Sequence, residues 1–174
     1  MKKFLLTFLM LIAAVPLWAY DFEVDGIYYD IMSDGRHVWV THDGSRNGGC
    51  YSGSVTIPYS VTYEGRTYYV DAIFNDAFWN CTNLETVSVE ANLTYIGPRA
   101  FYNCTSLYRF YTAEPTYLKT IAEEAFYNCS EFNFAMFTGI SYVTEIGRNA
   151  FYGTSWYNNQ KDGILYMSGH SSIM

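Results

Sequence analysis

Residues 100–107 read AFYNCTSL, residues 125–132 read AFYNCSEF, and residues 77–84 read AFWNCTNL. An active site is usually built once, whereas a phrase that recurs at near-constant intervals marks a structural unit stacked on copies of itself. Aligned on the Ala-Phe pair, the copies begin at Ala77, Ala100, Ala125 and Ala150, so the intervals are 23, 25 and 25 residues. Four residues before each alanine stands an isoleucine: Ile73, Ile96, Ile121 and Ile146. Four residues after it come Cys81, Cys104 and Cys129, then Thr154, where the pattern breaks. Leu84, Leu107 and Phe132 follow three residues further on.

Each unit contains two periodicities. The Ile, Ala, Phe and Cys positions fall on one face of a helical turn or two, with mostly polar residues such as Glu123-Glu124 and Arg148-Asn149 between them. Pro98 suits a first helical position, and Thr120 with Glu123 has capping-box spacing. After the cysteine the period becomes two, at Val87 and Val89, Phe110 and Thr112, Ala135 and Phe137. That alternation predicts a short strand with one face buried. A single unit buries too little apolar surface to order itself, so the units must stack, with like strands paired in parallel and like apolar residues in columns.

The assembled pattern, I-x-x-x-A-F-x-x-C-x-x-L-x-x-V-x-V, resembles the BspA-type leucine-rich repeat. SGSVTIPYSV at 52–61 looks like the strand phrase of a preceding, incomplete unit, and FEVDGIYYDI at 22–31 is similar to the cap sequence found before such repeats. The resemblance implies a leucine-rich-repeat solenoid, short parallel β-strands alternating with short helical turns, preceded by an N-terminal β cap. Phe110, Thr112 and Ala135 depart from the branched aliphatics common in the strand. The fourth unit, IGRNAFYGTSWYNN, loses its cysteine and strand. Family members commonly continue after such a segment, so a short member or a truncated one is expected.

The chain before the repeats has its own signals. Lys2 and Lys3, an apolar run from Phe4 to Val15 and the small Ala19 follow the order of a secretory signal peptide, expected over 1–19. The run is too short for a comfortable membrane span. Its removal takes away two lysines and no acid, leaving eight basic and 17 acidic residues and a net charge of −9. Such a chain is a poor electrostatic partner for nucleic acid or an anionic membrane. Residues 20–70 read as the β cap with an incomplete first repeat: strands at IYYDI and HVWVT, and a hairpin in VTYEGRTYYV turning at Glu64-Gly65. Repeats are expected over 71–155, and a C-terminal segment over 156–174, whose KDGILYM suits a hairpin or packing against the last turn.

Chemistry is sparse. Cys81, Cys104 and Cys129 would sit at equivalent places on adjacent turns about 5 Å apart, nominally within disulfide reach. Their side chains point the same way, however, and three thiols cannot all pair among themselves. A ladder of buried thiols is favoured over a disulfide or metal site. Cys50 lies outside the ladder and reads as a cap-buried thiol. His37 and His42 face opposite sides of a strand, and no histidine falls at repeat spacing. The run DGSRNG at 43–48 starts like a calcium loop but has Ser54 where a bidentate glutamate is needed. No nucleophile elbow, zinc-protease helix motif or phosphate loop is present, so no enzyme activity, metal or cofactor is expected. Asn80, Asn103 and Asn128 begin N-C-[ST] triplets that the repeat itself forces.

The surface remains. Between the buried strand residues, Thr86, Arg109 and Phe134 form one outward row, and Ser88, Tyr111 and Met136 the next. Arginine and large aromatic residues are favoured at binding hot spots. With 18 Tyr, 12 Phe and 4 Trp, the chain is rich in residues suited to half-buried surfaces. The resemblance adds that proteins of this family look like surface or secreted binding modules, several implicated in adhesion. The expected function is a secreted or cell-surface protein-binding module acting on a host or bacterial surface protein. The alternatives are a carbohydrate-binding accessory domain, or a non-binding spacer of a longer surface protein.

Overall fold

The computed structural model describes residues 20–44, 51–112, 117–133 and 142–159, together with the strands at 164–167 and 170–173. Residues 1–19, Cys50, Phe134, Met136 and most of the 43–48 run lie outside the described residues.

Two sheets form the two sides of a coil. In the first, β1 (Phe22–Val24) and β2 (Ile27–Ile31) pair antiparallel across Asp25 and Gly26. Both turn residues have positive φ, 52° and 77°, as a two-residue hairpin turn with the right twist requires. β2 then pairs antiparallel with β3 (His37–Thr41). Between them Asp34 accepts from Arg36 N at 2.9 Å and from His37 N at 3.0 Å, tying the turn. β5 (Ser60–Tyr63) and β6 (Arg66–Ile73) make a hairpin turning at Glu64-Gly65. β6 also pairs in parallel with β3, and from there the sheet is parallel. It continues through three two-residue strands, β8 (Tyr95–Ile96), β10 (Thr120–Ile121) and β11 (Glu145–Ile146). The second sheet holds β4 (Gly53–Ile57), β7 (Leu84–Val89) and β9 (Arg109–Thr112), parallel and in that order. Strand β6 runs across residues 70 and 71, because one strand serves both as hairpin arm and as the first repeat strand.

The segments joining the two sheets are not the helical turns that the spacing suggested. Residues 74–80, 97–103, 122–128 and 147–153 contain only turns. Two residues in each take positive φ: Asp76 and Asn80, Arg99 and Asn103, Glu124 and Asn128, Asn149 and Gly153. A helix would direct each amide along its own axis. Here alternate amides go elsewhere. Ala77, Trp79 and Cys81 donate three residues back, to the carbonyls of Phe74, Asp76 and Phe78. Asp76, Phe78 and Asn80 donate instead to Pro98, Ala100 and Tyr102 of the next coil, at 3.1, 2.7 and 2.8 Å. The same alternation recurs between the later coils, as in Phe101 N to Ala125 O and Phe126 N to Ala150 O, both at 2.7 Å. Repeated four-residue turns place apolar side chains at the same intervals as a helix would, which is why the sequence pattern misleads. Thr120 likewise caps nothing: its hydroxyl donates to Glu145 of the next coil at 3.1 Å. The one described helix is α1 (Ser155–Asn158), capped by the Thr154 hydroxyl. After it, β12 (Ile164–Met167) and β13 (His170–Ile173) form an antiparallel hairpin.

Columns of identical residues fill the core. Phe78, Phe101, Phe126 and Phe151 stack with ring centroids 4.7, 4.9 and 5.3 Å apart and planes within 12° of parallel. Tyr51 tilts onto the head of this column at 4.5 Å. Isoleucines 73, 96 and 121 and all four repeat alanines are fully buried beside it. Stacked side chains of the same shape leave no void between coils, so each unit supplies the surface that its neighbour needs to bury.

Candidate functional site

Alternation along the second sheet separates its two faces. Ile57, Val87, Val89, Phe110 and Thr112 point inward and are nearly or fully buried. The register then sets the outward rows: Ser54 beside Thr86 beside Arg109, and Thr56 beside Ser88 beside Tyr111. The hydroxyl of Thr86 donates to that of Ser54 at 2.8 Å, so one end of the first row is tied. Arg109 and Tyr111 are exposed, Tyr111 by 45%. The Arg109 guanidinium also lies over the Tyr108 ring at 5.8 Å, within cation–π range. Four of the six outward residues singled out from the sequence are thus brought into two adjoining rows, while Phe134 and Met136 fall outside the described residues. Ser54 and Thr56 complete the rows. Their phrase was legible as a partial unit, but its register against β7 was needed to place them.

Cys81, Cys104 and Cys129 are buried, and none of them is in a disulfide. The Cys104 thiol donates to Phe78 O at 2.9 Å and that of Cys129 to Phe101 O at 3.0 Å, each across to an earlier coil. Burial pushes the Cys104 thiol well above its ordinary pKa, which disfavours the reactive thiolate. His37 Nδ1 meets Asp34 at 2.5 Å, while the His42 ring accepts from Gly44 N at 2.9 Å. Among the described residues, no group of three or more His, Cys, Asp or Glu is placed to hold a metal ion.

The opposite side of each coil carries ladders that sequence reasoning passed over. Asn103 donates to Asn80 at 2.7 Å, and Asn128 to Asn103 at 2.6 Å. Tyr102, Tyr127 and Tyr152 stack at 4.9 and 5.2 Å with planes 4° and 21° apart. Arg99 pairs with Asp76 at 3.0 Å, and Arg148 with Glu123 of the preceding coil. The signal was present in the repeated F-[WY]-[NG] triplet.

A leucine-rich-repeat solenoid is the class that this fold defines. The sequence model of the BspA type leucine rich repeat region matches residues 49–160, in six copies. The chain belongs to the BspA-type leucine-rich-repeat family. A leucine rich cell surface protein from Faecalibacterium prausnitzii is similar in structure, with a TM-score of 0.63 and 30% identity over 76% of this chain and 34% of its own. A leucine-rich repeat protein from Bacteroides ovatus gives 0.65 and 28% identity over 78% of this chain and 33% of its own. A third, from Bacteroides capillosus, gives 0.54 and 26% identity, over 73% of this chain and 97% of its own. The chain therefore spans about a third of the length of the first two. No curated protein matches it. Among the described residues, no helix is long and apolar enough to cross a membrane.

Proposed function

We propose that this chain is a secreted or cell-surface binding module of the adhesion type, which meets a protein partner through the outward face of β4, β7 and β9. The observation that carries this reading is the contrast within one strand register. Inward positions pack into the core in every coil, as Val55, Val87 and Phe110 in one row and Ile57, Val89 and Thr112 in the next. The outward rows lie at least partly open and run from Ser54 to Thr86 to Arg109 and from Thr56 to Ser88 to Tyr111. Side chains that packing does not dictate are free to serve recognition, and among the described residues the two rows reach an exposed arginine and an exposed tyrosine, both common at hot spots. Export through residues 1–19, a capping role for 20–70, repeats over 71–155 and a C-terminal segment over 156–174 belong to the same proposal. The glycan alternative is less favoured. A sugar stacks on an open ring face, and Tyr102, Tyr127 and Tyr152 press their faces on one another.

The test is a binding screen of the purified protein against immobilised extracellular-matrix proteins and a glycan array, repeated with variants. Arg109→Ala and Tyr111→Ala should each weaken binding of a matrix-protein hit by about 1–2 kcal/mol, roughly tenfold. Glu123→Ala and Arg148→Ala, on the turn side, should leave it unchanged. Affinity that survives both strand-face changes and disappears on altering residues 43–49 would move the site off the sheet. A hit only on the glycan array would replace the protein partner with a carbohydrate.

A further inference from the structure

Beyond β6 the first sheet is extended by β3, β2 and β1, but the second sheet ends at β4, whose strand neighbour among the described residues is β7 alone. The Ile57 carbonyl accepts from Glu90 N at 2.9 Å. By strand alternation the peptide groups of Val55 and Ile57 then face β7, and those of Ser54 and Thr56 face away from it. Along this outer edge lies a cavity of about 440 Å³, walled on its far side by the β1–β2 turn. Ile27 and Val61 line it and are 6% and 5% exposed.

Two polar groups of the residues that line this cavity are unpaired among the described residues. Tyr29 is fully buried, yet its hydroxyl has no hydrogen-bond partner among the described residues. The other phenol there is committed, since Tyr51 accepts from Tyr28 N at 3.1 Å and donates to Thr41 O at 2.9 Å. A buried hydroxyl left unpaired carries a desolvation penalty that a ligand atom reaching it would relieve. Asp25 lines the same cavity, is exposed, and makes no ion pair among the described residues. It lies near enough to Tyr29 to add to the effect of burial, which is the larger, in pushing that phenol far above its ordinary pKa.

An unpaired strand edge beside an apolar slot is the geometry of strand addition, in which backbone bonds give affinity and a pocket for alternate side chains gives selectivity. We infer that the β4 edge docks an extended peptide segment of a partner protein as a further parallel or antiparallel strand, with a lysine side chain of that segment in the cavity. The four methylene groups of lysine suit Ile27 and Val61, and its ammonium can meet the Tyr29 oxygen and the Asp25 carboxylate. The overall charge of −7 favours a basic partner. This edge is distinct from the exposed Arg109 and Tyr111 on β9, two strands away.

Fluorescence anisotropy with a labelled Val-Thr-Val-Lys-Val-Thr-Val peptide and the purified protein tests it. The peptide should bind saturably, its Lys→Glu form should bind about tenfold less well, and N-methylation of alternate amides should abolish binding. Asp25→Asn should weaken it by about tenfold as well. Tyr29→Phe should weaken binding without lowering the melting temperature, because the hydroxyl that it removes bonds to none of the described residues. Arg109→Ala and Tyr111→Ala should leave it unchanged, so the strand-face reading and this one fail separately. Absence of saturable binding, equal binding of the Glu peptide, or indifference to N-methylation would overturn the inference. So would self-association in sedimentation that Thr56→Pro abolishes, since the edge would then belong to a second copy of the chain.

Discussion

On the turn side of the coils, the A-F-[WY]-[NG] stretch of successive units repeats almost residue for residue, while the outer face of the β4–β7–β9 sheet does not. Both regions belong to the same 23- to 25-residue unit, so the difference is not one of fold. Ala, Phe and Cys recur on the turn side because each must lie directly on its counterpart one coil away, fully buried. Asn80, Asn103 and Asn128 recur because the amide of each later residue donates to that of its counterpart one coil earlier, Asn103 to Asn80 and Asn128 to Asn103. The outer strand face has no such requirement, since its side chains meet solvent on one side and the sheet already supplies the backbone pairing. A repeat protein thus carries its own internal alignment. Positions that copy themselves report on stacking, and positions that drift are open to other uses.

The turn side should therefore be intolerant of change, most of all at its centre. Phe101 touches Phe78, Phe126 and Phe110, the last edge-on at 5.5 Å. Phe101→Ala should cost about 3–5 kcal/mol in urea unfolding, by lost burial and the cavity left behind. Cys104→Asp should be at least as damaging. Its carboxylate would face the Phe78 carbonyl to which the thiol now donates, acceptor against acceptor in a dry column. The thiols in this column should also alkylate slowly until the protein is denatured. A loss below about 1 kcal/mol for Phe101→Ala would mean that the stack is looser than its ring spacings suggest.

Smaller losses should follow where the coils approach backbone to backbone. A Cβ on Gly147 would meet Glu123 N and lie 2.5 Å from Ala122 C and 2.7 Å from Glu123 Cα. Gly147→Ala must push two coils apart and should cost about 1–3 kcal/mol. Ala122, in the equivalent place one coil earlier, is accommodated, so a neutral result at 147 would show that the last coil can slide outward. Asn103 divides its effect in two. It bridges Asn80 and Asn128, and it holds a φ of 59°. Asn103→Ala should lose about 1–2 kcal/mol. Asn103→Gly should lose less, since glycine adopts that φ freely, as Gly153 does at the same place in the fourth unit.

Much of this was legible in the sequence because repetition multiplies weak signals. The period, the buried columns, strands β2 and β3 and the Glu64-Gly65 hairpin could all be read from spacing and turn chemistry. The turns could not. A chain of four-residue turns and a short helix bury the same positions, and only the hydrogen-bond partners tell them apart, half of which lie on the next coil. Thr120 and Glu123 show the same limit: their spacing is local, whereas the Thr120 hydroxyl reaches Glu145. The outward rows were readable as far as the repeats were complete, so Thr86, Ser88, Arg109 and Tyr111 were found and Ser54 and Thr56 were not. The cavity at the β4 edge had no sequence signature, because Asp25, Tyr29 and Thr56 come from three strands and turns with no repeat relation.

The smallest expected effect is the one that sharpens the comparison most. If the outer face is exempt from stacking, altering it should barely change stability. Alanine is a poor probe of this alone, since it also lowers strand propensity by up to about 1 kcal/mol. Tyr111→Thr avoids that difficulty: threonine keeps the β-branched preference and matches the small hydroxyl residues Thr56 and Ser88 already in the row. Its unfolding free energy should stay within about 0.5 kcal/mol of the parent, as for a surface change away from any cap, cavity or buried bond. Arg109→Thr should do the same, because among the described residues the guanidinium has an exposed ring beneath it. A loss of about 2 kcal/mol from either would place that side chain against something that packs on the sheet, in the manner of a buried contact. The outer face would then be a second interior rather than a binding surface, and its variation along the coils would reflect what covers it.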